Sequence, residues 1–138
     1  MRLLVTIILI ILTSLNNLFS QEKSNPIEIP ILLSGTFGEF RKTHFHTGID
    51  IKTQGKEGLK VRAIDDGDLI RIKVSTSGYG KVIYIRHYDG TTSVYAHLKK
   101  FSSKIQHIIK RLQYEEKRYE IEKFFKEGEI KLKKSEMI

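Results

Sequence analysis

The sequence predicts a mainly β domain, an antiparallel sheet with one helical insertion near the C-terminus. Three observations carry this. From about Ser34 to Phe101, short β-rich runs follow one another, punctuated by turn residues. Asp89-Gly90 separates two of these runs and is a two-residue hairpin signal. After Phe101 the grammar changes, and Ile105, Ile108, Ile109 and Leu112 recur at helical spacing.

The chain has 138 residues, enough for one domain's core. Arg2 precedes an apolar run from Leu3 to Leu12, and a polar stretch from Thr13 to Gln21 follows. This is signal-peptide anatomy, with Ser20 a small residue at the cut. A bilayer-spanning helix needs about 20 apolar residues, roughly twice what this run offers. Residues 1–20 are therefore expected to be removed on export to the periplasm, cell envelope or medium, leaving no membrane span. An uncleaved anchor or a buried strand is the competing reading.

Residues 21–33 read as a linker or edge segment, because Pro30 interrupts the β-rich run Ile27 to Leu33. The domain itself is expected over 34–138. Leu59 to Ile64 and Asp68 to Val74 read as strands flanking Asp65-Asp66-Gly67. Ile70, Ile72 and Val74 alternate with Arg71 and Lys73, as in a half-buried strand. Gly78-Tyr79-Gly80 marks a turn, and Lys81 to Tyr88 then pairs with Thr91 to Leu98.

A two-residue loop at Asp89-Gly90 sets a register. Ile85 then faces Val94 and Ile83 faces Ala96, on a core side shared with Leu98. Tyr84 faces Tyr95 and Val82 faces His97, on a more polar side that suits a groove floor. A slip of one residue would reverse the faces. Ser103 and Gln106 have capping-box spacing, so a helix is expected from about Ser103 to Lys117. Tyr119, Ile121 and Phe125 then look strand-like, and Glu127-Gly128 looks like a turn.

Composition excludes several function classes. With no cysteine there is no disulfide scaffold, thiolate zinc site, iron–sulfur cluster or cysteine nucleophile. The formal net charge of +8 is concentrated after Leu98, where basic and acidic residues are mixed. Such mixing usually marks a solvated face, and no nucleic-acid motif accompanies it, so no nucleic-acid partner is expected.

The densest chemistry lies in His44-Phe45-His46-Thr47-Gly48-Ile49-Asp50. Neutral imidazole and carboxylate are good zinc ligands. In an extended strand His46 and Asp50 would stand about 13 Å apart, too far to share an ion. Thr47, Gly48 and Ile49 are poor helix formers. The remaining option is a bend at Thr47-Gly48 opening into a strand from Ile49 to Thr53. His44 could be another ligand, or a neighbour that orients substrate or a ligand.

These segments together resemble the lysostaphin-type, LytM-like zinc metallopeptidases of bacterial cell walls, built on the duplicated-hybrid-motif barrel. His46-Thr47-Gly48-Ile49-Asp50-Ile51 looks like the family's first metal motif. Gly58 to Ala63 with Asp66-Gly67, then Gly78-Tyr79-Gly80, look like its next strands and turns. Tyr84 to Gly90 with Tyr95-Ala96-His97-Leu98 looks like its central hairpin. The resemblance implies an antiparallel sheet or partly open barrel with a groove along one face. It implies cleavage of peptide bonds in peptidoglycan, with one zinc ion held by His46 and Asp50. His97 would be the catalytic histidine, acting on the attacking water or stabilising the oxyanion. Tyr84, Tyr95 and His44 would contact substrate or support the ligands.

The family also carries a His-x-His motif that supplies a third zinc ligand and a second catalytic histidine. No histidine follows His107 in this sequence. The stretch Lys131 to Ile138 looks like the start of the family's next strand, cut short, so the domain is expected to be C-terminally incomplete and its zinc site two-liganded. Two functions follow: an exported zinc metalloendopeptidase domain acting on peptidoglycan peptides, either active or truncated and inactive, or a non-catalytic peptidoglycan-binding or regulatory module with a degenerate metal site.

Overall fold

The structure is a computed structural model and describes residues 22–138. The expected leader, residues 1–20, lies outside the described residues. Two antiparallel sheets form. The small one pairs β1 (Leu33–Gly35) with β2 (Asp50–Ile51). The larger holds β3 (Gly67–Val74), β4 (Lys81–His87), β5 (Thr92–Tyr95), β6 (Ile121–Phe124) and β7 (Lys131–Leu132). Its order is β5-β4-β3-β6, and β7 also pairs with β3. One helix, α1 (Ser103–Glu116), connects β5 to β6. The architecture is thus mainly β and antiparallel, with one helix near the C-terminus; among the described residues the sheet does not close into a barrel.

Strand alternation builds the core. In β3 the register shifts between Leu69 and Arg71, so the bulge lets Leu69, Ile72 and Val74 all reach the interior. Ile83 and Ile85 of β4 join them, fully buried. Ile105, Ile109 and Leu112 of α1 cover this face, as the helical spacing predicts. Each such buried side chain contributes roughly 1.5–3 kcal/mol. The other face of β3 and β4 carries Arg71, whose guanidinium lies 4.6 Å from the Tyr84 ring centroid and 5.2 Å from that of Phe124.

The hairpin register differs from the expected one by a residue. Ile83 faces Tyr95, Tyr84 faces Val94 and Ile85 faces Ser93. The loop has three residues, Tyr88-Asp89-Gly90, because the His87 N–H donates to the Thr91 carbonyl at 2.8 Å. A two-residue type I′ turn needs positive φ at both positions, whereas here only Gly90 has it, at +84°. Asp89 instead accepts hydrogen bonds from the backbone and hydroxyl of Thr91. The faces reverse accordingly: Tyr95 is buried and Val94 is exposed.

Three further expectations are corrected. Leu59–Ile64 does not form a ladder; it makes single bridges, Ile27 with Val61 and Arg62 with Met137. The helix is capped by Ser102 rather than by a Ser103–Gln106 box, and no side-chain cap bond forms. The strand expected over Ile49 to Thr53 shortens to Asp50–Ile51. The segment before Leu33 is strapped down, with Ile27 buried and Lys23 paired to Asp89 at 2.7 Å.

Candidate metal and catalytic site

The site begins with a tight hairpin. Arg41 and His44 exchange backbone hydrogen bonds around Lys42-Thr43. Below this tip, Phe40 and Phe45 pair, with their rings edge to face at 5.5 Å. The His46 N–H donates to the Glu39 carbonyl at 2.8 Å and fixes the base of the hairpin. The chain then bends at Gly48 and enters β2, where Asp50 pairs with Gly35. The bend expected at Thr47-Gly48 is therefore present.

It brings His46 and Asp50 together. Nε2 of His46 stands 3.3 Å from Oδ1 of Asp50. Nδ1 of His46 lies 3.0 Å from the Thr36 carbonyl oxygen. Arg41 Nη2 also lies 3.4 Å from this Nδ1, so the Thr36 carbonyl favours a proton there and the guanidinium opposes it; with the proton on Nδ1, Nε2 is the nitrogen open to a metal. The other Asp50 oxygen, Oδ2, accepts a hydrogen bond from Arg41 Nη2 at 2.6 Å. That hydrogen bond, helped by the nearby His46, Arg41 and His97 charges, outweighs partial burial and holds the Asp50 carboxyl below its usual range.

His97 lies near enough for its charge to act on Asp50, and its backbone is unusual. It follows β5 with φ of +56°, left-handed for a non-glycine residue. Its N–H donates to the Tyr79 carbonyl at 3.0 Å. Its ring meets Tyr79 edge to face at 6.1 Å. The Tyr79 hydroxyl is 2.9 Å from Thr47 Oγ1. Gly78 and Gly80, both at positive φ, make the tight turn that presents Tyr79. Tyr79 thus ties the His97 turn to the His46 bend.

The remaining expected residues stand elsewhere. His44 is exposed, and its ring contacts only its neighbour's hydroxyl, Thr43 Oγ1, at 3.1 Å among the contacts of the described residues. Tyr95 points into the core, where its hydroxyl accepts the Ile64 N–H at 2.9 Å. Tyr84 stacks under Arg71. His87 is a core histidine, bonded to the Asp66 carbonyl and the Ser93 hydroxyl. A shallow concavity lined by Lys110, Gln113, Tyr114, Arg118 and Tyr119 includes no residue of the site. Sequence reasoning missed Arg41 and Tyr79 as site residues; the Gly-Tyr-Gly turn was a usable signal for the second.

The pair fits a metal ion as two of its ligands. Two donors at about 2.0–2.1 Å from a tetrahedral zinc lie roughly 3.3–3.4 Å apart, which matches the His46–Asp50 separation. Among the described residues no group of three or more His, Cys, Asp or Glu side chains is placed to hold an ion.

A histidine nitrogen and a carboxylate oxygen 3.3 Å apart on a bent loop of an antiparallel β domain suit a shared metal ion. The chain belongs to peptidase family M23, whose profile matches residues 44–114. Over 57 residues it is 46% identical to the DD-carboxypeptidase/endopeptidase Mpg of Neisseria meningitidis serogroup B (strain ATCC 13091 / M2091). The same identity holds for the protein of that name from Neisseria gonorrhoeae (strain ATCC 700825 / FA 1090). These matches cover 41% of this chain and 13% of each curated relative. No solved structure matches.

Proposed function

We propose that this chain is an exported zinc metallopeptidase domain that cleaves peptide bonds in peptidoglycan. The observation that carries the proposal is the approach of His46 Nε2 to within 3.3 Å of Asp50 Oδ1. His46 and Asp50 would hold zinc, which when bound supplies Lewis-acid activation of water and of the scissile carbonyl. His97, beside them, exchanges a proton with the attacking water or donates to the developing oxyanion. Tyr79 holds the His97 ring in place. The relatives' printed names support a peptidase activity, the motif resemblance supports peptidoglycan as substrate, and the apolar run Leu3 to Leu12 supports export. Among the described residues no helix is long and apolar enough to cross a membrane.

The test is zinc stoichiometry together with digestion of purified peptidoglycan. Bound zinc and released peptides, both lost in Asp50→Ala and turnover alone lost in His97→Ala, support the reading. A second reading is favoured by the absence of a third donor beside His46 and Asp50 among the described residues. It makes the domain a peptidoglycan-binding or regulatory module without catalysis. Sedimentation with peptidoglycan that is indifferent to zinc, with no peptide released, decides for it.

A further inference from the structure

The two oxygens of Asp50 have different neighbours. Oδ1 faces His46 Nε2 at 3.3 Å, and Oδ2 is bonded to Arg41 Nη2 at 2.6 Å. We propose that Arg41 is a positioning residue for the metal: it occupies Oδ2 so that Asp50 offers Oδ1 alone, on the side of His46 Nε2. This rests on the metal-binding reading above and names a residue on which that binding depends.

Two independent features support it. Asp50 sits opposite Gly35 across the β1–β2 ladder. A Cβ at position 35 would stand 2.5 Å from Asp50 Oδ2 and 2.6 Å from Arg41 Nη2. The missing side chain is what admits the guanidinium, so the fold leaves a slot for this ion pair. Arg41 is also delivered by structure rather than by chance reach. It lies at the tip of the hairpin whose base is His46, and it exchanges backbone bonds with His44. The same hairpin therefore fixes the imidazole and the group that orients the carboxylate. Partners that orient metal-binding carboxylates typically change metal affinity 10–100-fold when removed.

The experiment measures Zn2+ affinity by chelator competition and records the visible spectrum of the Co2+-substituted protein. Wild type, Arg41→Met, Arg41→Lys and Gly35→Ala are compared. Arg41→Met is expected to weaken Zn2+ binding about 10–100-fold and to change the Co2+ bands as Oδ2 becomes free to coordinate. Arg41→Lys, which keeps a cation in reach of Oδ2, is expected to recover most of the affinity. Gly35→Ala is expected to resemble Arg41→Met. Unchanged or tighter binding in Arg41→Met overturns the proposal, because the guanidinium would then be inert or a competitor for Asp50. Wild-type protein that binds neither metal overturns the metal-binding reading itself and this inference with it.

Discussion

Tyr95 and His97 are two residues apart and occupy opposite environments: Tyr95 is 9% exposed within the core, and His97 is exposed against Tyr79. In an unbroken strand they would share a face. The left-handed φ of +56° at His97 breaks the alternation and swings the imidazole out against Tyr79. That conformation costs a non-glycine residue roughly 1–2 kcal/mol. The hydrogen bonds from His97 to Tyr79 and from Leu98 to Lys81 hold it there.

Replacing His97 separates this strain from its chemistry. His97→Gly and His97→Ala both remove the imidazole, but only glycine relaxes at positive φ. The glycine variant should be more stable than the alanine variant by about 1 kcal/mol, read from urea unfolding midpoints, and both should lose peptide release. Equal midpoints would show that the backbone is not left-handed there.

Asp50 carries a pH prediction whose sign follows from its neighbours. Its folded-state pKa is depressed, chiefly by the Arg41 hydrogen bond. The ionised carboxylate therefore contributes to stability above its unfolded pKa of about 4, and the contribution disappears as pH falls through the lower folded value. A carbon-detected NMR titration should place the Asp50 midpoint below that of an ordinary aspartate. A midpoint at or above the ordinary value would mean that the Arg41 pair does not persist in solution.

Tyr95→Phe should cost stability and spare the site. The variant leaves the Ile64 N–H without its partner, a loss of about 1 kcal/mol, while Tyr95→Ala should cost roughly 3–5 kcal/mol. Thermal melting measures both. Peptide release or substrate affinity falling in Tyr95→Phe at full folding would place this side chain in the groove instead.

Tyr79 should matter through its ring. Tyr79→Phe keeps the edge contact with His97 and loses only the hydroxyl contact with Thr47. Its turnover should stay within a few-fold of wild type. Tyr79→Ala frees the imidazole and should lower turnover by on the order of tenfold or more, since small misplacements are costly. Equal rates for all three proteins would remove Tyr79 from the site.

Much of this arrangement was legible in the sequence. The helical stripe Ile105, Ile109 and Leu112 and the alternation of Ile72 and Val74 report their own burial, because period and exposure are linked within one element. The bend at Thr47-Gly48 followed by exclusion, since a strand holds His46 and Asp50 apart and the residues between them are poor helix formers. The hairpin register did not follow, because the Asp-Gly pair suits both a two-residue and a three-residue loop and only φ at Asp89 separates them. Two departures then offset each other. The slipped register turned Tyr95 inward, and the left-handed residue turned His97 outward against Tyr79. Arg41 was invisible because its role depends on a non-local ladder between Gly35 and Asp50, which no local spacing encodes.

The partner edge of β3 is shared by two strands, β6 along Arg71–Val74 and β7 along Gly67–Asp68. As the chain folds, the hairpin partner β4 lies next to β3 in sequence, but the other edge waits for β6 and β7, about fifty residues further on. Until they dock, the strand presents an unpaired backbone that can recruit a neighbouring polypeptide. Charged residues of β3, Arg71 and Lys73 among them, are then the chain's defence against such pairing.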